Sequence, residues 1–304
     1  MSTVTKASDA SASGRRIATM IGFSAVLMWA LLAVLTASSG TLPPFQLTAI
    51  TFAIGGALGA LRWISHPEAW RALRAPWQVW ALGIGGLFGY HFLYFTALRN
   101  SPPIDASLIA YLWPLLIVVF SALLPGERLK AHHVIGALMG LAGAALIVTR
   151  GQLILPRAEY VFGYLAALGC AFTWSIYSLL SRRLADVPTD TVTGFCLATA
   201  VLSAVAHLAL ETTVWPTEVS QWLAIIGLGL MPVGLAFYTW DYGVKRGDIQ
   251  ILGASAYASP LLSTIVLIIA GHAELSLAIV GAALMITLGA VLAARDLLFP
   301  SQKK

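Results

Sequence analysis

The sequence predicts an all-α membrane protein of ten transmembrane helices, arranged as two inverted five-helix repeats with both termini in the cytoplasm. Three observations predict it: ten apolar runs of membrane-spanning length, a one-sided distribution of Lys and Arg, and a match between the two halves of the chain. Of the 304 residues, 59% are apolar and 10% charged. That is less than half the charged share of a soluble globular domain, so the chain cannot cover itself with polar surface.

An α-helix rises about 1.5 Å per residue, so about 20 apolar residues cross roughly 30 Å of hydrocarbon with every backbone group bonded internally. Runs that meet this requirement fall at 17–37, 45–61, 77–98, 104–124, 132–149, 161–180, 190–210, 220–241, 249–270 and 276–294. Residues 1–14, rich in Ser, Ala and Thr, read as a disordered cytoplasmic tail, and 296–304 as a second tail. Arg15-Arg16 ahead of the first run resembles the start of a secretion signal. The run exceeds a signal core, however, and similar runs continue to the other end, so it reads as an uncleaved helix.

Ten spans alternate the loops between two sides. Arg99, Arg150 and Arg157 fall on one side, and the remaining fifteen of the 18 Lys and Arg, from Lys6, Arg15 and Arg16 to Lys303 and Lys304, fall on the other. The positive-inside rule makes the richer side cytoplasmic. It also accounts for the sequence pI near 9.4 without a nucleic acid partner. The loops are too short to hold a separate soluble domain.

At an offset near 145 the halves match in order. Trp29 and the residues after it pair with Trp174 and its followers, Ala110-Tyr111-x-x-Pro114 pairs with Ala256-Tyr257-x-x-Pro260, and Gly136 to Arg150 pairs with Gly281 to Arg295. Matches held in one order mark a repeat, which divides the chain at 15–150 and 151–295. A five-helix unit crosses an odd number of times, so the second copy enters the bilayer inverted. Inverted repeats are the architecture of alternating-access carriers, with substrate near the midplane between the units.

Counting residues from the membrane surfaces puts Trp29, Tyr90, Tyr111, Pro114, Trp174, Tyr257 and Pro260 at similar mid-depth. Trp and Tyr ordinarily gather at the interfaces, so a mid-depth set calls for tight packing between helices or a protein-lined cavity. Pro114 and Pro260 each remove a backbone hydrogen bond and displace a carbonyl one turn earlier, which makes a kink, a hinge or a carbonyl acceptor for an ammonium. His91 is a hydrogen-bonded packing residue by default and a substrate contact or proton carrier otherwise.

A carboxylate at mid-depth is costly and would mark ion coupling, and none is expected: Asp105, Asp241 and Glu211 lie near helix ends, where water reaches them. Glu127 and Glu274 precede the fifth and tenth helices as expected N-terminal caps. Cys170 and Cys196 read as packing residues without metal or disulfide spacing. The small-residue faces at Gly136 and Gly140 and at Gly85, Gly86 and Gly89 read as close helix packing within one chain, so no oligomer is required. His-Glu-x-x-His, Gly-x-Ser-x-Gly and Walker A patterns are missing, which argues against an enzyme and leaves no cofactor or metal to place.

The duplicated five-helix plan, the paired Pro114 and Pro260, and the acidic residue after the fourth helix of each unit resemble the drug/metabolite transporter superfamily, in its branch of two EamA-type units. The resemblance spans about 17–295. Tyr111-x-Trp113-Pro114 and Trp174 further resemble the bacterial aromatic amino acid exporters of that branch. It implies export of aromatic and other hydrophobic amino acids across the bacterial inner membrane through a central cavity, with other metabolites or drugs as the alternative. It makes Tyr111, Trp113 and Trp174 the first candidates for substrate contact, and Tyr90, Tyr257 and Ser259 the next.

Overall fold

A computed structural model describes residues 2–153, 155–271 and 274–298, and among them helices joined by short turns are the only regular elements. Among the described residues, nine helical segments are long and apolar enough to cross a membrane: Ser13–Ser38, Pro44–Ser65, Trp77–Asn100, Pro103–Leu123, Ala131–Thr149, Ala158–Arg183, Thr191–Leu210, Val219–Arg246 and Ile249–Ile269. We refer to these as the first to ninth spans. A further apolar helix, Leu277–Ala293, has 17 residues. The chain is an all-α, multi-pass membrane protein.

The N-terminal helix begins at Ser2, so residues 2–14 are helical where composition predicts disorder. A helix propagates cheaply from an existing turn and Ala favours it, and the first span supplies that turn. Of the C-terminal tail, a short helix covers Arg295–Leu298; Lys303 and Lys304 lie outside the described residues.

Several spans are interrupted. The first breaks between Trp29 and Leu32, the fourth between Ala110 and Trp113, and the ninth between Ser255 and Ala258. The breaks of the fourth and ninth lie just ahead of Pro114 and Pro260, whose rings exclude the carbonyl one turn earlier. Single π-helical turns at Gly85–Gly89 and Met231–Leu235 interrupt the third and eighth spans. Composition gives no warning of these turns, which are uncommon and concentrate at functional sites. The break of the fourth span recurs in the ninth 145 residues on, and the π-turn of the third recurs in the eighth 146 residues on.

The fifth span packs along Leu277–Ala293 with almost no side chain between the backbones. A Cβ on Gly136 would stand 2.4 Å from the Gly289 carbonyl oxygen, and one on Gly143 would stand 2.7 Å from Ile286 Cγ1. Such backbone approach replaces hydrophobic driving force with van der Waals contact in a bilayer. Gly136→Leu should therefore separate the two helices and lower the thermal midpoint of the purified protein in detergent, at a cost of at least about 1–3 kcal/mol. An unchanged midpoint would contradict this packing.

Candidate functional site

The interrupted spans converge on a cluster of aromatic rings. Trp29 from the first span lies 6.1 Å from Trp113, 5.9 Å from Trp174 and 5.1 Å from Trp240, centroid to centroid. Trp113 stands edge-on to Trp174 at 6.3 Å, and Tyr90 approaches Trp174 at 5.6 Å. Phe237 sits 5.7 Å from Trp174 and stacks on Phe52 at 5.3 Å, and Phe52 meets His91 at 5.1 Å. Most of these pairs are edge-to-face or tilted, the arrangements favoured by ring quadrupoles. The rings expected around a cavity thus touch one another.

Several polar atoms in the cluster are hydrogen-bonded to backbone carbonyls or to one another. Trp29 Nε1 donates to the Pro232 carbonyl in the second π-turn at 3.1 Å. Ser175 Oγ shares its one proton between the Ala171 carbonyl at 2.7 Å and the Trp113 carbonyl at 3.0 Å. His91 Nδ1 lies 2.7 Å from the Leu87 carbonyl oxygen in the first π-turn. Trp240 Nε1 donates to Ser178 Oγ at 3.1 Å.

Of the sequence-predicted residues, Trp29, Tyr90, His91, Trp113 and Trp174 come together. Tyr111 and Pro114 flank them at the break of the fourth span. Tyr257 and Pro260 occupy the break of the ninth, but Tyr257 packs in a separate group with Ala137, Ala144 and Ile286. Ser259, beside Pro260, is buried. Three rings of the cluster, Phe52, Phe237 and Trp240, escaped sequence reasoning, as did Tyr94, which stacks on Tyr90 at 6.1 Å. The repeat offset held the signal for two: Trp240 aligns with Tyr94 and Phe237 with His91.

The acidic residues near helix ends are buried rather than reached by water. Glu211 accepts from Arg99 at 2.7 Å, from the backbone N–H groups of Phe45 and Gln46 at 3.1 and 3.2 Å, and lies 3.0 Å from His207 Nδ1. It therefore caps the second span from a distant loop. Asp105 accepts from Tyr164 Oη at 2.6 Å. Asp241 pairs with Lys245 at 2.9 Å and accepts from Thr189 at 2.7 Å. Each carboxylate has a strong donor in place of water on at least one oxygen, because solvent-free carboxylates require them, while Asp241 Oδ1 is buried without a partner.

Glu127, unlike Glu211, does not cap a helix but joins an ion-pair network. Its carboxylate takes a 3.1 Å bond from Arg15 and a shorter one from Arg182, since guanidiniums are stronger partners than neutral amides. Arg15 also reaches Asp248 at 3.0 Å, and Arg182 donates to the carbonyls of Val244, Lys245 and Gly247. This network joins the ends of the first, fourth, sixth and eighth spans. The turn before Leu277–Ala293 is capped by Ser276, whose Oγ accepts from Ile279 N at 3.3 Å, and Glu274 is exposed.

Cys170 and Cys196 are free and buried. Donor atoms of His132, His133 and Asp296 lie within 4.8 Å of one another, a set that could attract a metal ion. Two contacts already use them. The Lys130 ammonium bonds Asp296 and holds its carboxyl below the usual carboxylate range, and His133 Nδ1 accepts from Lys130 N at 3.3 Å. A metal would have to displace both.

The interrupted spans and their aromatic junction define a helical membrane transporter, and comparison with known proteins gives the family. A model described as the EamA-like transporter family matches residues 16–149 and again 161–295. The chain belongs to the EamA-like transporter family. It is 56% identical over 280 residues to the aromatic amino acid exporter YddG of Ancylobacter novellus, covering 92% of this chain and 97% of that one. YddG of Salmonella typhimurium is 25% identical over 289 residues, covering 90% and 96%. A crystal structure of a protein 55% identical superposes with a TM-score of 0.88, covering 92% of this chain and 98% of that one.

The two kinds of ion pair should differ in weight. Glu127 has 7% of its side chain exposed, whereas Lys130 and Asp296 have 51% and 50%. Glu127→Gln should cost on the order of 3 kcal/mol in unfolding measured in detergent, and Lys130→Ala under about 1 kcal/mol. Equal losses would contradict the distinction.

Proposed function

We propose that this chain exports aromatic and other hydrophobic amino acids across the bacterial inner membrane, by alternating access between two inverted five-helix repeats. Leu277–Ala293 is then the tenth span, since about 17 residues suffice for a thin or locally thinned bilayer, and both termini are cytoplasmic. The family model's two matches, one to each half, support the repeat. So do the breaks and π-turns that recur in both halves.

The observation that carries the substrate reading is the ring cluster at the junction of the interrupted spans, in a chain 56% identical to an aromatic amino acid exporter. A planar side chain entering this junction exchanges ring–ring contacts within the protein for equivalent contacts with itself, worth about 0.5–1.5 kcal/mol per pair. Its ammonium finds indole faces and displaced carbonyls there. Tyr111, Trp113, Trp174 and Tyr90 form the first wall, with Trp29 and His91 behind them. Ser259 and Tyr257 flank the site from the ninth span, and Pro114 and Pro260 set the kinks about which the repeats rock.

Transport without ion coupling follows from the placement of charge. Asp241, Glu127 and Glu211 are each held by a cation near the span ends, and a proton- or cation-coupled carrier needs a carboxylate that changes state during the cycle.

Uptake of labelled Phe, Trp, Thr and Ala into liposomes carrying the purified protein tests this reading. Saturable flux of Phe and Trp is expected, with no response to an imposed pH gradient and at least about a tenfold loss in Trp174→Ala. Absence of flux for every amino acid would refute the substrate class, and pH-driven accumulation would refute uncoupled transport.

A further inference from the structure

Tyr111 and Tyr257 occupy equivalent places in the two halves, each three residues before the proline of a broken span. Their surroundings differ. Tyr257 is fully buried, and its Oη accepts a hydrogen bond from Leu115 N at 3.1 Å. Leu115 immediately follows Pro114, in the turn where the fourth span restarts. The next amide is already back on the helix, with Leu116 N donating to the Leu112 carbonyl at 3.0 Å. Tyr257 therefore supplies, across the repeat boundary, the acceptor for an amide at the restart. In hydrocarbon an amide left without one is costly.

The ring reaches that amide through a slot. A Cβ on Gly140 would stand 2.5 Å from Tyr257 Cδ2, so only glycine in the fifth span leaves room for the ring. The residue aligned with Gly140 in the second half is Met285. No equivalent glycine slot awaits Tyr111, which stays part-buried beside the cluster. The two matching tyrosines thus have different surroundings.

We propose that Tyr257 is a positioning residue: through Leu115 it fixes the broken segment that carries Tyr111 and Trp113, and so sets the geometry of the aromatic site without touching substrate. Trp113 is fastened chiefly through the amide two residues on, which Tyr257 holds, because the single Ser175 hydroxyl proton is shared between the Trp113 carbonyl at 3.0 Å and the Ala171 carbonyl at 2.7 Å. Losing the hydroxyl should loosen Trp113 against Trp29, Trp174 and Trp240. The transport readout rests on the proposed amino acid site, whereas the spectroscopic one does not.

Tyr257→Phe removes one oxygen and keeps the ring in its slot, so the variant tests the bond alone. The near-UV circular dichroism of the purified protein, in its tryptophan bands and without substrate, should change, while the far-UV spectrum is retained. In liposomes the half-saturation concentration for Phe and for Trp should rise by the same factor, about three- to tenfold, with maximal flux within about twofold of the parent. Tyr111→Phe, by contrast, should alter the ratio between substrates. An unchanged near-UV spectrum in Tyr257→Phe would overturn the fastening even if no amino acid is transported. A changed spectrum with altered selectivity between Phe and Trp would overturn the positioning role in favour of direct contact.

Discussion

A backbone amide or carbonyl inside hydrocarbon must be bonded within the protein, and this constraint governs the molecule from fold to site. An unbroken helix meets it automatically. This chain breaks the first, fourth and ninth spans and opens π-turns in the third and eighth, so it creates free backbone groups where water is scarce. Side chains bond backbone groups at or beside these interruptions: Trp29 the Pro232 carbonyl, His91 the Leu87 carbonyl, Tyr257 the Leu115 amide. Several of these residues belong to the aromatic cluster or carry its neighbours. The rings and the breaks are one arrangement, because the polar edge of an indole or phenol satisfies the break while its apolar face builds the site.

Charge is handled in the opposite way. Arg15, Arg182, Glu127 and Asp248 gather at one end of the spans, and Arg99, Glu211 and His207 at the other. Between them lies a zone of rings, hydroxyls and one imidazole. An amphipathic zwitterion with a flat side chain suits such an interior better than a multiply charged solute. Glu127 bridges two guanidiniums that anchor different spans.

The fold was largely legible in the sequence because its signals are long and physical. Span length, the Lys and Arg bias and the repeated Tyr-x-x-Pro segments each depend on the bilayer or on the proline ring, and the observed spans follow the apolar runs to within a few residues. Trp29, Tyr90, Trp113 and Trp174 could be grouped from depth and resemblance. What could not be read was direction around each helix. Tyr257 has the same depth and the same motif as Tyr111, yet Gly140 admits it to a slot that no linear pattern announces. Glu127 and Glu211 were misjudged for the same reason, since their partners lie 112 residues away in Arg15 and Arg99. The π-turns leave no compositional mark at all.

The central claim is that the ring cluster at the junction of the broken spans receives an aromatic side chain. Intrinsic tryptophan emission of the purified protein, titrated with phenylalanine and with alanine as control, tests it most directly, because Trp29, Trp113, Trp174 and Trp240 are in mutual contact. The account predicts a saturable change with phenylalanine that is lost in Trp174→Phe. Phenylalanine that is carried across liposomes while leaving the emission unchanged would contradict it.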